Sequence, residues 1–219
     1  MTRDSTTVDT LLDAAGRTYA DQAGITLRDK PAPLYRLLVL AVLLSTRIRA
    51  DIAVDAAREL VRSGMGTPTR MREASWQDRV DALGAFLNDR LAADVERASG
   101  DKSLLIDAVL APRGISPLWC DAIESAGPYG AGWPAPRVAT GPVRIVGADI
   151  FCREAQDVWP ELRPALDGKA RQGAQRLNLP TDPHRLARLV ADNDLGRLAA
   201  ALTRAALDAD VRRAVLRDR

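Results

Sequence analysis

The chain opens with apolar residues at helical spacing. Residues 5–23 predict a first helix that stops at Gly24 and has its apolar face on Leu11, Leu12 and Ala15. Residues 31–45 (PAPLYRLLVLAVLLS) predict a second helix, with Pro33 at its first position. Because this segment is apolar on every side after Arg36, we expect it in the middle of a helical bundle.

Capping residues predict further short helices in the N-terminal part. Asp51 is placed to cap a helix that ends at Gly64. Thr67 is placed to cap the next one, and Ser75 with Asp78 approximates the capping box of another. These signals indicate four or five short helices, joined by connections of ordinary length.

The pattern changes after residue 84. Residues 85–100 predict one amphipathic helix, and residues 102–114 (KSLLIDAVLAPRG) contain an apolar run that fits a short strand. The β-branched residues of RVATGPVRIVGADI (137–150) favour one or two strands. Helices return after residue 147, one of them opened by Asp182-Pro183. We therefore expect a mainly α fold with a small α+β insert in the middle.

Composition agrees with a globular helical chain. Apolar residues make up 47% of the sequence and aromatic residues only 4%, which favours helices over sheets. The net charge is +2, so the chain lacks the strong excess of basic residues that is typical of nucleic-acid-binding domains. A local basic patch is still compatible with this composition.

The cysteine count limits which metal cofactors the chain can bind, and the hydropathy pattern limits where in the cell we expect it. Cys120 and Cys152 cannot supply a four-cysteine zinc or iron–sulfur site, and their apolar neighbours favour buried free thiols over a disulfide. The N-terminal residues contain no apolar signal core, and LLVLAVLL (37–44) is too short to span a bilayer. We expect a cytoplasmic protein with no membrane partner.

Residues 33–61 (PLYRLLVLAVLLSTRIRADIAVDAARELV) resemble the entry helices of the endonuclease III or helix-hairpin-helix–GPD DNA glycosylases. In that family an apolar helix ends in Leu-Ser, a polar loop follows, and a second helix begins near an Asp. Ser45 and Asp51 match these positions. The resemblance implies that Ser45 and the loop residues Arg47 and Arg49 contact DNA, as a wedge and a phosphate clamp. The alternative for the two arginines is a solvated turn.

Residues 146–180 (VGADIFCREAQDVWPELRPALDGKARQGAQRLNLP) resemble the family's helix after its hairpin and the Val-Asp-Thr-His-like turn that follows. The resemblance places Asp167 at the catalytic aspartate, which stabilises positive charge on the sugar as the base departs. The alternative is that Asp167 caps the helix 168–177, and the two roles are compatible. The two matching blocks cover about half of the chain.

Two parts of the family's active site are missing. Its hairpin glycines correspond to Pro142 and Arg144, and the lysine of its lyase members corresponds to about Val146, so a lyase step is not expected. Arg144 and Gly147 remain candidates for phosphate contact. Lys169 falls on the family's His position and either contacts phosphate or faces water.

Residues 86–143 resemble a different family, the C-terminal part of RecJ-type single-strand exonucleases. The signature is GPYGAGWPAP (127–136), with Trp133 in place of the usual Asn. The nuclease chemistry of that family needs clustered Asp and His ligands, whereas this chain has His184 alone, at a predicted surface helix start. The chain thus has a composite pattern, with glycosylase-like parts at 1–84 and 146–219 and a RecJ-like insert at 85–145.

Three hypotheses for function follow. The first is a DNA-repair N-glycosylase that removes a damaged base with Asp167. The second is a non-catalytic DNA-binding or scaffolding module that keeps the helical shell. The third is a RecJ-related accessory domain for single-stranded DNA. All three predict DNA as a partner.

Overall fold

The computed structural model of the protein describes residues 3–46, 48–91 and 142–217. Throughout these residues the regular structure is helical, and no strand occurs in them. This confirms the mainly α fold. The predicted insert at 85–145 lies outside the described residues except for its two ends.

The helices before residue 92 are short and closely connected. They are α1 (Arg3–Ala15), α2 (Tyr19–Gln22), α3 (Pro31–Leu44), α4 (Ala50–Leu60), α5 (Pro68–Glu73) and α6 (Trp76–Leu91). A π-helical turn over Val61–Met65 extends α4. Gly64 in that turn and Gly24 after α2 both have a positive φ, which explains why the two predicted stops hold glycine.

The helices after residue 141 are also short and closely connected. They are α7 (Pro142–Ala155), α8 (Gly168–Arg176), α9 (Pro183–Ala187), α10 (Leu195–Leu207) and α11 (Ala209–Arg217). Short 3₁₀ turns occur at Pro160–Leu162 and Asp192–Asp194.

Three predicted caps are confirmed. The side chain of Thr67 accepts a hydrogen bond from the Arg70 N–H, and that of Asp182 accepts one from the Arg185 N–H. Ser75 and Asp78 form a reciprocal capping box. The Ser75 N–H donates to Asp78 Oδ2 at 2.8 Å, and the Asp78 N–H donates to Ser75 Oγ at 3.1 Å.

Two predicted helix starts were wrong. Helix α3 begins at Pro31, two residues before Pro33, because Pro31 fits an N-terminal helix position equally well. Asp51 does not cap α4. The cap position is Arg49, and Asp51 lies in the first turn, where its carboxylate pairs with the Arg49 guanidinium at 2.6 Å.

The strand predicted over 137–150 is also wrong from residue 142 onward. Helix α7 begins at Pro142, so residues 142–150 are helical. Val and Ile lower helix propensity only slightly, and Ile150 and Phe151 are buried on this helix. Their burial outweighs the β preference of the segment, because tertiary packing decides between two states that differ little in propensity.

The chain divides into two compact units. One comprises Met1–Gln22 and Asp149–Arg219, and the other comprises Ala23–Ala148. The second unit has α3 at its centre, with the residues from Leu37 to Ala41 and Leu43 buried, as the all-round apolar pattern predicts.

The first unit is built around α10, whose apolar side faces α1 and α8. Its core contains mostly leucine and alanine, among them Leu11, Leu177, Leu198, Leu202 and Val215. Small residues let α8 and α10 approach closely. A Cβ added at Gly173 would lie 1.8 Å from the Leu202 carbonyl oxygen, so only glycine fits there.

Candidate functional site

The polar residues at the end of α7 form a buried network in the first unit. The segment runs Arg153-Glu154-Ala155-Gln156-Asp157. Arg153, Glu154 and Gln156 are buried, and Asp157 is half-buried. Each of the four polar side chains contacts a different part of the unit. The network therefore holds together segments that are distant in sequence.

Arg153 binds the predicted catalytic aspartate. Its Nη1 lies 2.7 Å from Asp167 Oδ2 and also donates to Thr203 Oγ1 at 3.2 Å. The other oxygen, Asp167 Oδ1, accepts a hydrogen bond from the Ala170 N–H at 2.8 Å and so caps α8. The side chains of Arg153 and Asp167 are 3% and 10% exposed. Both carboxylate oxygens of Asp167 are thus engaged, and the helix cap expected of this residue is confirmed.

Glu154 caps the short helix α2 from a distance in sequence. Its Oε2 accepts from the Ala20 N–H at 2.9 Å, and its Oε1 accepts from the Tyr19 N–H at 3.3 Å. Arg204 completes this attachment, since its guanidinium lies over the Tyr19 ring and its Nη1 donates to the Ala15 carbonyl. This explains why the predicted helix 5–23 divides into α1 and α2.

Gln156 and Arg163 shape the loop that ends in Asp167. The Ala165 N–H donates to Gln156 Oε1 at 2.9 Å, and Gln156 Nε2 donates to the Ala165 carbonyl at 3.3 Å. Arg163 Nε donates back to the Gln156 carbonyl at 2.7 Å. The loop is thereby held at both ends, which fixes the start of α8 and the position of Asp167.

Asp157 caps α10 from the end of α7. Its Oδ1 accepts from the Gly196 N–H at 2.9 Å. A Cβ at Gly196 would lie 2.4 Å from Asp157 Oδ2, so glycine is needed for this approach. Burial raises the pKa of Asp157, against the lowering effect of the Gly196 hydrogen bond and of Arg163.

Asp149 lies near Asp167, and the Cys152 thiol lies near Asp149. Asp149 is exposed, and its pKa is raised by partial burial and by the charge of Asp167, while Arg153 and Arg171 lower it. Cys152 is a free, half-buried thiol, and its pKa is raised by burial and by Asp149. Asp149 is therefore the more accessible of the two carboxylates in this region.

The predicted DNA-contacting residues fall into two groups. Ser45 and Gly147 come together in the second unit, where a Cβ added at Gly147 would lie 3.7 Å from Ser45 Oγ. Arg49 is exposed and paired with Asp51. Arg144 lies in the first turns of α7, and Arg47 lies outside the described residues.

Lys169 belongs to the first unit, as does Asp167. It is exposed, and its Nζ donates to Gln172 Oε1 at 3.2 Å, on the outer side of α8. His184 is exposed in the first turn of α9, as its predicted role at a helix start requires.

The described residues offer neither a metal site nor a membrane span. Among them, no three His, Cys, Asp or Glu side chains are arranged to hold a metal ion. None of the helices in this part of the chain is long and apolar enough to cross a bilayer.

The sequence pattern missed the role of Arg153, Glu154 and Gln156. A run of charged and amide residues near a helix end usually indicates a solvated face. The available signal was Gly196 and Thr203 in the largely apolar segment 195–207, since the Gly196 N–H and the Thr203 hydroxyl both bind a buried or half-buried polar side chain. That signal does not identify the partner.

The buried carboxyl of Glu154 predicts a pH dependence of stability. Burial raises its pKa above the ordinary value of 4.5, and the bound N–H groups, Arg153 and Arg204 offset this only in part. The folded state therefore favours the protonated form. The stabilising contribution of Glu154 is complete below pH 4.5 and is lost as pH rises through the higher folded-state pKa.

We expect Glu154→Gln to remove this dependence. Urea unfolding of both proteins between pH 4.5 and neutral pH measures it, with the difference in unfolding free energy plotted against pH. The wild-type protein should lose stability relative to the variant as pH rises. Parallel curves would contradict the assignment.

No protein-family model matches this chain, and no curated protein or solved structure is significantly similar to it.

Proposed function

We propose that this protein is a non-catalytic DNA-binding relative of the base-excision glycosylases. The observation that carries the proposal is that Asp167 is largely buried and has a partner for each carboxylate oxygen. Its two oxygens bind the Arg153 guanidinium and the Ala170 N–H, and only 10% of the side chain is exposed. In this arrangement Asp167 stabilises the unit and is poorly available to a substrate.

The charge of Arg153 argues further against base removal by Asp167. A glycosylase carboxylate must act on positive charge that develops at the sugar carbon. Here a guanidinium already lies 2.7 Å from the carboxylate, and its own side chain is only 3% exposed. A second positive charge beside Asp167 would be repelled by Arg153 while gaining little from a carboxylate that is already paired.

DNA binding is supported by the resemblance of two segments and by one contact. Residues 33–61 resemble the entry helices of the glycosylases, and residues 146–180 resemble the helix after their hairpin and the turn that follows it. Ser45 from the first segment and Gly147 from the second are neighbours in the second unit. Two residues that are about 100 positions apart, and that the resemblance assigns to DNA contact, are therefore close to each other in space.

The proposal is tested by measuring base release and DNA binding separately. Duplexes with uracil mismatches, oxidised pyrimidines or abasic sites are incubated with the protein, and binding to an undamaged duplex is followed by fluorescence anisotropy over a range of salt. We expect no base release, and an affinity that falls linearly with salt on a log–log scale.

Asp167→Asn and Asp149→Asn serve as matched variants in the same assays. Base release that disappears in Asp167→Asn would restore the catalytic hypothesis. Base release that disappears only in Asp149→Asn would assign the chemistry to the more accessible carboxylate. A salt slope near zero would overturn DNA binding itself.

A further inference from the structure

Helix α8 has an unusual charge composition for a helix with one buried and one exposed side. Its nine residues, GKARQGAQR, contain three cations and no carboxylate. The surrounding stretch 168–188 contains Lys169, Arg171, Arg176, Arg185 and Arg188 against the single acidic residue Asp182. The carboxylate of Asp182 already accepts the Arg185 N–H as a helix cap.

Lys169 and Arg171 lie on the outer side of α8, and Arg176 is exposed but donates through Nη1 to the Ala206 carbonyl of α10. Ala170, Gly173, Ala174 and Leu177 form the buried stripe that packs in the core. Successive residues of a helix are 100° apart. This spacing puts Gln172 and Gln175 opposite the buried stripe, with Arg171 on one flank and Lys169 and Arg176 on the other.

Three other exposed arginines in the described part of the chain each pair with a carboxylate. Arg62 pairs with Glu59, Arg197 with Asp194, and Arg213 with Asp210, each one helical turn away. In α8 such a partner is missing from the helix itself, and the carboxylate at its N-terminus, Asp167, pairs with Arg153 inside the unit. The nearby carboxyl of Asp149 is exposed, and the positive charge of Arg171 lowers its pKa in part.

We propose that the outer face of α8 binds the phosphate backbone of duplex DNA. The exposed cations lie on both sides of the two uncharged residues Gln172 and Gln175, so positive charge extends over the width of the helix. This distribution fits a polyanion such as duplex DNA, which presents a row of phosphates on each strand. This inference rests on the proposed DNA-binding function and locates the contact. Under this proposal Lys169 contacts a DNA phosphate, and that contact does not require Asp167 to be catalytic.

The test uses the full chain and an undamaged duplex. Arg171→Ala and Lys169→Ala each remove one exposed cation, and the slope of log affinity against log salt should become shallower by about 0.9 for each phosphate that is no longer neutralised. The double variant should show about twice that change. Binding should weaken to the same degree for duplexes of unrelated sequence, because phosphate contacts carry no base information.

Gln172→Glu separates binding from folding. Lys169 Nζ already reaches Gln172 Oε1, so a glutamate there forms an ion pair one turn away and leaves the helix as stable or slightly more stable. The same carboxylate lies in the middle of the proposed contact and repels phosphate. We expect unchanged unfolding and clearly weaker DNA binding.

Arg213→Ala is the matched control. It removes one exposed positive charge from the same unit, at a residue that pairs with Asp210 and lies outside α8. If the α8 variants and Arg213→Ala weaken binding equally, net charge alone is responsible and the α8 contact is wrong. If the wild-type protein does not bind DNA, the proposed function fails instead. Binding to anionic lipid vesicles in preference to DNA would also overturn the assignment.

Discussion

Replacing Arg153 with methionine is expected to lower the free energy of unfolding of the first unit by about 3–5 kcal/mol. Methionine fills much of the same space, so the main loss is the partner of Asp167, whose side chain is only 10% exposed. A largely buried carboxylate without its guanidinium must either remain charged with little access to water or take up a proton. Both outcomes destabilise the folded state at neutral pH.

The double variant Arg153→Met, Asp167→Asn shows whether the pair is responsible. Asparagine keeps an oxygen that can cap α8 through the Ala170 N–H, and it carries no charge to leave unpaired. The double variant should therefore be more stable than Arg153→Met alone, with a coupling energy of about 0.5–3 kcal/mol. Additive effects of the two substitutions would contradict the assigned pair.

The exposed ion pair between Arg49 and Asp51 serves as a control for the effect of burial on the Arg153–Asp167 pair. Arg49 Nη2 lies 2.6 Å from Asp51 Oδ2, a distance similar to that of the buried pair, but the two side chains are 60% and 43% exposed. Arg49→Ala should cost less than about 1 kcal/mol because water solvates the remaining charge. Urea unfolding, with hydrogen exchange at the α8 and α10 amides as a local probe, measures each effect.

The second large effect is expected for Gly173→Ala. In an open helix this change is stabilising, by roughly 0.5–1 kcal/mol. At Gly173 the added Cβ would meet the Leu202 carbonyl oxygen at 1.8 Å and its carbon at 2.7 Å. Both are backbone atoms of α10, so no side chain can rotate away and the two helices must separate. We expect destabilisation at or above the upper end of the range of about 1–3 kcal/mol for overpacking.

Gly168→Ala is the control in the same helix. A Cβ at Gly168 has no atom within 4 Å, so this variant should be as stable as the wild type or slightly more stable. Thermal unfolding of the two variants under identical conditions gives the comparison. A Gly173→Ala protein with wild-type stability would show that α8 and α10 do not pack at this distance.

Local chemistry made much of the helical architecture predictable. Thr67, Ser75 with Asp78, and Asp182 each satisfy N–H groups within three residues, so their sequence neighbours suffice to identify them. The all-round apolar run in α3 likewise predicted its central position. The strand expected up to residue 150 was wrong since the preference of Val and Ile for strands is weak and packing overrode it.

The candidate site depended on contacts that sequence neighbours do not reveal. Asp167 was identified both as a cap and as a catalytic residue, and the cap follows from Ala170, three positions later. The choice between the two roles depends on Arg153, 14 positions earlier, and on the burial of the pair. An arginine near a helix end has the same sequence signature whether it faces water or a carboxylate.

The sequence by itself determined the helical class, the position of several helix starts and stops, and the candidacy of Asp167 as a helix cap, because these depend on propensity, spacing and hydrogen bonds within one turn. Only the tertiary structure decided which partners Arg153, Glu154, Gln156 and Asp157 take, and it left Lys169 and Arg171 of α8 exposed. The physical reason is that burial sets the strength of a charge interaction, and burial depends on residues brought together from both ends of the chain.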